Sequence, residues 1–108
     1  MSPASRTAPE IIEEALHHLR YVISYLDEPD TQVTADAIAM RLGAGIEAIS
    51  ALQTEMRDRV SVGEWADMWG MRNRLAHGYA LADTTFLRRT ARDDVPALIE
   101  RLEAEMDA

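Results

Sequence analysis

Trp69-Gly70-Met71-Arg72-Asn73-Arg74-Leu75-Ala76-His77-Gly78-Tyr79 is the stretch on which the reading of this chain turns. With Trp65 and Met68 just before it, its apolar positions recur three and four residues apart, the repeat of a helix face and not of a strand. Trp65, Met68 and Trp69 are expected to pack inward, with Arg72 and Ala76 continuing that face. Ser61-Val62-Gly63-Glu64 reads as a capping box at the start, Ser61 being the N-cap and Glu64 its partner. The helix should end near His77, with Gly78 just past the end, where glycine tolerates left-handed backbone. Five of the eight residues 72–79 are Arg, Asn, His or Tyr. Packing alone does not need them, so the same stretch is the candidate site.

Outward from it the helical repeat persists. Ile12, Leu16, Leu19, Ile23 and Leu26 make an amphipathic helix over 9–27, with Pro9 in its first turn. Glu28-Pro29-Asp30 ends it. Ile38, Leu42, Ile46, Ile49, Leu52 and Met56 carry a second, long helix from Thr31 or Thr34 to about residue 59. Gly43 and Gly45 inside it predict close approach to another helix. Glu47 lies off that stripe and reads as a surface acid; the alternative turns it toward the site. Asp83 reads as the N-cap of a helix begun by Phe86, Leu87 and Thr90. Val95, Leu98, Ile99, Leu102 and Met106 continue that stripe, and Pro96 either kinks it or opens a fresh helix. No strand alternation appears. The expectation is an all-α bundle of four helices, or five if Pro96 divides the last. Residues 1–8 are read as a disordered lead and 9–108 as one helical domain.

Composition excludes several classes. At 108 residues there is room for one modest core. The chain has no cysteine, which removes disulfides, thiolate metal sites and cysteine nucleophiles. No apolar run reaches the roughly 18–20 residues of a membrane span, and the polar N-terminus is unlike a signal peptide, so a cytoplasmic location is expected. The net charge of −8 argues against wholesale coating by nucleic acid. Yet residues 57–92 hold seven arginines against four acids, whereas the remainder holds four against fifteen. Any contact with phosphate must concentrate in that segment, where arginine's planar fork suits it. His17 and His18 diverge by about 100° around their helix, a poor pair for a metal.

Histidine titrates near neutrality, so His77 can move the proton of a 2′-hydroxyl or of a leaving oxygen. Arg72, Asn73 and Arg74 can hold a phosphate and its developing charge. Such a set fits RNA cleavage without metal or cofactor. Arg72 and His77 stand about 140° apart on a regular helix, so arginine's reach and unwinding at Gly78 must bring them to one phosphate. One motif histidine per chain falls short of separate acid and base, which a symmetric dimer would supply. The structural reading of Arg74 and His77 is simpler: cations in a last turn complement the helix dipole.

The run Met71-Arg72-Asn73-Arg74-Leu75-Ala76-His77-Gly78-Tyr79 resembles the Arg-x4-His-x-Tyr motif of HEPN-domain ribonucleases, specifically the HepT-like toxins. In that family an Asp-capped helix and an acidic Asp-Leu-Pro-like step come after the motif, and Asp83 and Asp94-Val95-Pro96 resemble them. Gly45-Ile46-Glu47-Ala48 resembles the family's Gly-Glu-Ala with one extra residue. Where the family has a Pro-Trp step before the motif helix, this chain has Glu64-Trp65. The likeness covers about residues 9–106. It implies a dimeric HEPN-like helical bundle with Arg72 and His77 catalytic and Asn73 the polar position after the arginine. It also implies an RNA substrate (tRNA or mRNA) and, as partner, an MNT-type nucleotidyltransferase antitoxin that transfers AMP to Tyr79. Two other classes fit the same residues: a non-catalytic helical partner that docks a nucleotidyltransferase, and a structural bundle in which Arg72 and His77 only finish a helix.

Overall fold

Thr7 opens the first helix by a reciprocal cap. Its hydroxyl accepts the Glu10 amide at 3.3 Å while the Glu10 carboxylate accepts the Thr7 amide at 3.1 Å. The computed structural model describes residues 6–77 and 84–107. They form six helical segments: α1 (Ala8–Tyr25), α2 (Gln32–Ile49), α3 (Thr54–Val60), α4 (Trp65–His77), α5 (Thr84–Asp93) and α6 (Val95–Asp107). No strand occurs among the described residues, and the all-α bundle expected from the sequence is what forms.

The apolar stripes of α1 and α2 face each other along their length and form the main seam of the core. Ile12, Leu19, Val22, Ile38 and Ile49 are sealed there, each contributing roughly 1.5–3 kcal/mol by leaving water. Gly45 permits the approach: a Cβ there would stand 2.8 Å from Leu19 Cδ2. Gly43 does not share this role, because a Cβ there would meet nothing within 4 Å. α6 closes the bundle against α1, with Val95, Leu98 and Leu102 buried, and α5 packs on α2 and α6. α4 packs principally on α2, and none of its side chains is fully buried.

Three expectations are revised. The long second helix is two helices. After Ile49 the Ser50 amide turns back to the carbonyls of Ile46 and Glu47, and Gln53 is extended before α3 begins. The residues 61–64 do not form a capping box. Ser61 instead ends α3, its hydroxyl donating to the Arg57 carbonyl at 2.8 Å. The Val62 amide bonds the Arg59 carbonyl and the Gly63 amide the Asp58 carbonyl, a Schellman closure. Phe86 is half exposed and does not belong to the inward stripe. Pro96 falls in the first turn of a fresh helix, after the turn at Asp94. Gly78, Tyr79 and Asp83, to which the sequence assigned roles, lie outside the described residues.

Candidate functional site

On α2, Asp36, Ala39, Met40, Gly43, Ala44 and Glu47 recur at helical spacing and form a face that adjoins the core stripe through buried Ala39. On α4, Arg72, Leu75 and Ala76 share a face. The two faces line one groove of about 450 Å³. Ala39, Gly43 and Ala44 keep the middle of its α2 wall low, and Gly43 leaves open space.

Arg72 is the fixed point of this groove. Its Nε lies 2.8 Å from Glu47 Oε2, its Nη1 donates to Asn73 Oδ1 at 3.1 Å, and its guanidinium carbon sits 4.9 Å from the Trp69 ring centroid. The carboxylate takes one edge of the guanidinium, the amide steadies one terminal nitrogen, and the indole supports the plane. A guanidinium so restrained loses little further freedom on meeting a phosphate, so contact costs less. Glu47 is an exposed acid, as one reading had it, and it also faces the groove, as the alternative had it. The signal for it was its place one turn beyond Gly43, on the small-residue face of α2.

The other candidates are less concentrated. Asn73 is exposed and engaged with Arg72. Arg74, about 200° around from Arg72, lies back over Gly70, with Nη1 3.7 Å from where a Cβ at that glycine would be. His77 is exposed in the last turn, and among the described residues no hydrogen bond or ion pair joins it to Arg72. Tyr79 lies outside the described residues.

Much of the arginine-rich segment serves the fold. Arg59 pairs with Glu105 through two hydrogen bonds of 2.9 and 3.0 Å, which hold that carboxyl below its usual range and raise the guanidinium. Arg88, largely buried, donates to the carbonyls of Leu26 and Glu28 and ties α5 to the α1–α2 turn. On α1, burial and the Arg41 charge push the His18 imidazole down. No group of three or more His, Asp or Glu side chains among the described residues is placed to hold a metal ion. No helix among them is long and apolar enough to cross a membrane.

The described residues thus form a small all-α bundle whose α4 carries Arg72 and His77, with Arg72 seated on a carboxylate of the neighbouring helix. Residues 10–105 match the model of the family described as Ribonuclease HepT-like, and the chain belongs to that family. Comparisons with curated proteins and with solved structures give no significant match.

Proposed function

We propose that this protein is a metal-independent endoribonuclease of the toxin type, with Arg72 and His77 catalytic and Asn73 and Arg74 helping to position the RNA. The observation that carries the reading is the Arg72 guanidinium held at 2.8 Å by Glu47 in an open groove, on the helix that bears His77. A phosphate entering the groove meets the terminal nitrogens of Arg72. The 2′-oxygen attacks the adjacent phosphorus and the bond to the 5′-oxygen breaks, leaving a 2′,3′-cyclic phosphate and a 5′-hydroxyl. One proton leaves the 2′-oxygen and one reaches the 5′-oxygen, tasks suited to imidazole. Arg72 offsets the charge that gathers on phosphorus oxygens.

A second copy supplies the second imidazole. Val33 and Met40 are strongly exposed, two turns apart on α2, and Met40 lines the groove. Covering that edge by two-fold symmetry turns two grooves toward each other. An MNT-type nucleotidyltransferase is the matching antitoxin: it transfers AMP from ATP to the Tyr79 oxygen and releases pyrophosphate. The added charge and bulk, two residues along the chain from His77, exclude RNA phosphate. The exposed placement of His77, away from Arg72, favours a second reading in which the motif only docks a nucleotidyltransferase and its nucleotide.

The test is expression with and without the nucleotidyltransferase, followed by RNA cleavage in EDTA. The ribonuclease reading expects growth arrest without the partner, cleavage by the purified chain, and an adenylate mass on Tyr79 after co-expression. Harmless expression and intact RNA contradict it and leave the docking reading.

A further inference from the structure

α4 lies on α2 between two openings. On one side is the groove of Arg72. On the other, α4 stands apart from the turn at Asp94 that joins α5 to α6, and a second cleft of about 420 Å³ opens between them. Its floor is apolar: Leu42 and Ile46 of α2 and Val95 and Leu98 of α6 are buried beneath it. Half-buried Met68 and Met71 form the α4 wall. Two large exposed apolar side chains extend this surface. Val62, 62% exposed, lines one end, and Phe86, 50% exposed, stands one helical turn before the lining residue Thr90 on α5.

Both lips of the cleft are acidic. Glu64 and Asp67 rise from the α4 side, Asp93 and Asp94 from the side of α5 and α6, and all four are exposed. Asp93 lies 3.4 Å from Arg92. Among the described residues the carboxylates of Glu64, Asp67 and Asp94 have no hydrogen-bond or ion-pair partner. Arg101 is the one cation among the described lining residues, and its Nε donates to the Val60 carbonyl.

Charge selects the occupant. The lips repel nucleic-acid phosphate. They also oppose a second copy of this chain, which brings a net charge of −8. An apolar surface flanked by cations is attracted from both sides.

We propose that this cleft docks a helix of a partner protein, apolar along one face and flanked by lysine or arginine. Its apolar side chains, three and four residues apart, fill the cleft as a helix fills a groove, and the flexible Met68 and Met71 adapt to them. Its cations meet Asp67 on one lip and Asp94 on the other. The proposal does not rest on the ribonuclease reading. Met71 and Asp67 stand about 100–140° around α4 from Arg72, so the partner touches the helix that carries Arg72 and His77 and leaves their groove open.

The test uses the whole chain and a fluorescein-labelled amphipathic peptide of leucine and lysine, about 18 residues long so that it can form a helix. A peptide of the same composition with its leucines scattered around the helix measures attraction by charge alone. Binding is read by anisotropy, and its place by the methyl signals of ¹³C-methionine protein. Expected are saturable binding of the amphipathic peptide, at least tenfold weaker binding of the scattered one, and shifts of the Met68 and Met71 methyls with Met40, in the other groove, unmoved. Asp67→Asn with Asp94→Asn should weaken binding about three- to tenfold, the worth of two exposed ion pairs. Glu13→Gln with Asp27→Asn, an equal charge change on and just beyond α1, should not. Ala97→Trp, which fills the cleft and keeps its charges, should weaken binding as well. Equal binding of the two peptides, equal effects of the two charge pairs, or shifts at Met40 in place of Met68 and Met71 each overturns the proposal. Self-association of the parent that Ala97→Trp abolishes would make a second copy the occupant and overturn it too. The methyl shifts decide the matter if a variant fails to fold.

Discussion

The Oε2 of Glu47 lies 2.8 Å from the Nε of Arg72, and this contact joins α2 to α4 at the groove that holds the motif arginine. Both side chains keep contact with water, 53% for the carboxylate and 28% for the guanidinium. As a surface ion pair it contributes about 0–1 kcal/mol to stability. Its value lies in placement: Glu47 takes Nε and Asn73 takes Nη1, which together hold the guanidinium at the groove. Glu47→Ala is expected to lower kcat by about 10- to 100-fold, the effect of a misplaced positioning group, with little change in melting temperature. Glu47→Gln, which still offers an acceptor oxygen, should recover part of the loss. Steady-state cleavage kinetics beside a thermal melt check both.

Val62 stands at the left-handed position of the Schellman closure after α3, with φ +51°, and Gly63 follows at +75°. That backbone costs a β-branched residue about 1–2 kcal/mol, and the Val62 side chain is 62% exposed, so packing offsets little of it. Val62→Asn is expected to stabilise the fold by up to about 1 kcal/mol. Gly63→Ala should destabilise it by about as much. Urea denaturation at unchanged m-value measures both.

Gly45 and Gly43 are two residues apart and predict opposite outcomes. Ala at 45 drives a methyl against Leu19 Cδ2 at 2.8 Å and Cγ at 3.0 Å, and Leu19 is fully buried with no room to turn away. Overpacking of that kind costs about 1–3 kcal/mol, more than the helix propensity gained. Gly43→Ala meets nothing and should gain up to about 1 kcal/mol. Thermal melts of the pair, side by side, separate the two environments.

Acid should weaken the fold through two carboxylates. Glu10 is held below the usual range by the Thr7 backbone and hydroxyl, and Glu105 by its hydrogen bonds to Arg59. A depressed folded pKa stabilises above the unfolded value and loses that contribution as pH falls through the folded one, so stability drops below the normal carboxylate range near 4.5. His18 acts in the same direction at higher pH: its lowered pKa means the unfolded chain takes up the proton first, and stability falls as pH drops through 6.5. Glu105→Gln should flatten the acid limb and His18→Gln the limb near neutrality. Thr7→Ala should cost roughly 0.5–2 kcal/mol as a lost cap. Stability measured across pH for each variant checks these signs.

The helices were legible where one apolar stripe meets one partner, as for Ile12, Leu16 and Leu19 in α1. The break after Ile49 was not, because Leu52 is buried and Met56 packs on the same core, so the helical repeat runs through a segment with no Gly or Pro to mark the turn. Ser61 misled for a related reason: a hydroxyl beside a helix can cap the one that follows or back-bond the one that ends, and here Arg57 supplies the acceptor. Arg72 stood out as a candidate from its polar neighbours. Glu47 was legible only as an alternative, since its contact with Arg72 depends on α4 crossing α2, a tertiary fact. The charge of residues 57–92 overstated the surface for RNA, since Arg59 and Arg88 are engaged by Glu105 and by backbone carbonyls.

Proton transfer by His77 at a 2′-oxygen is the step on which the ribonuclease reading depends. It is measured by cleavage, in EDTA, of an otherwise deoxy oligonucleotide carrying a single ribonucleotide, with the product ends identified by mass. Expected are one cut 3′ to the ribose leaving a 2′,3′-cyclic phosphate, no cut in the all-deoxy control, and a loss of about 10²- to 10⁴-fold in His77→Ala. Equal cleavage by His77→Ala, or cutting of the all-deoxy strand, would refute that role for His77.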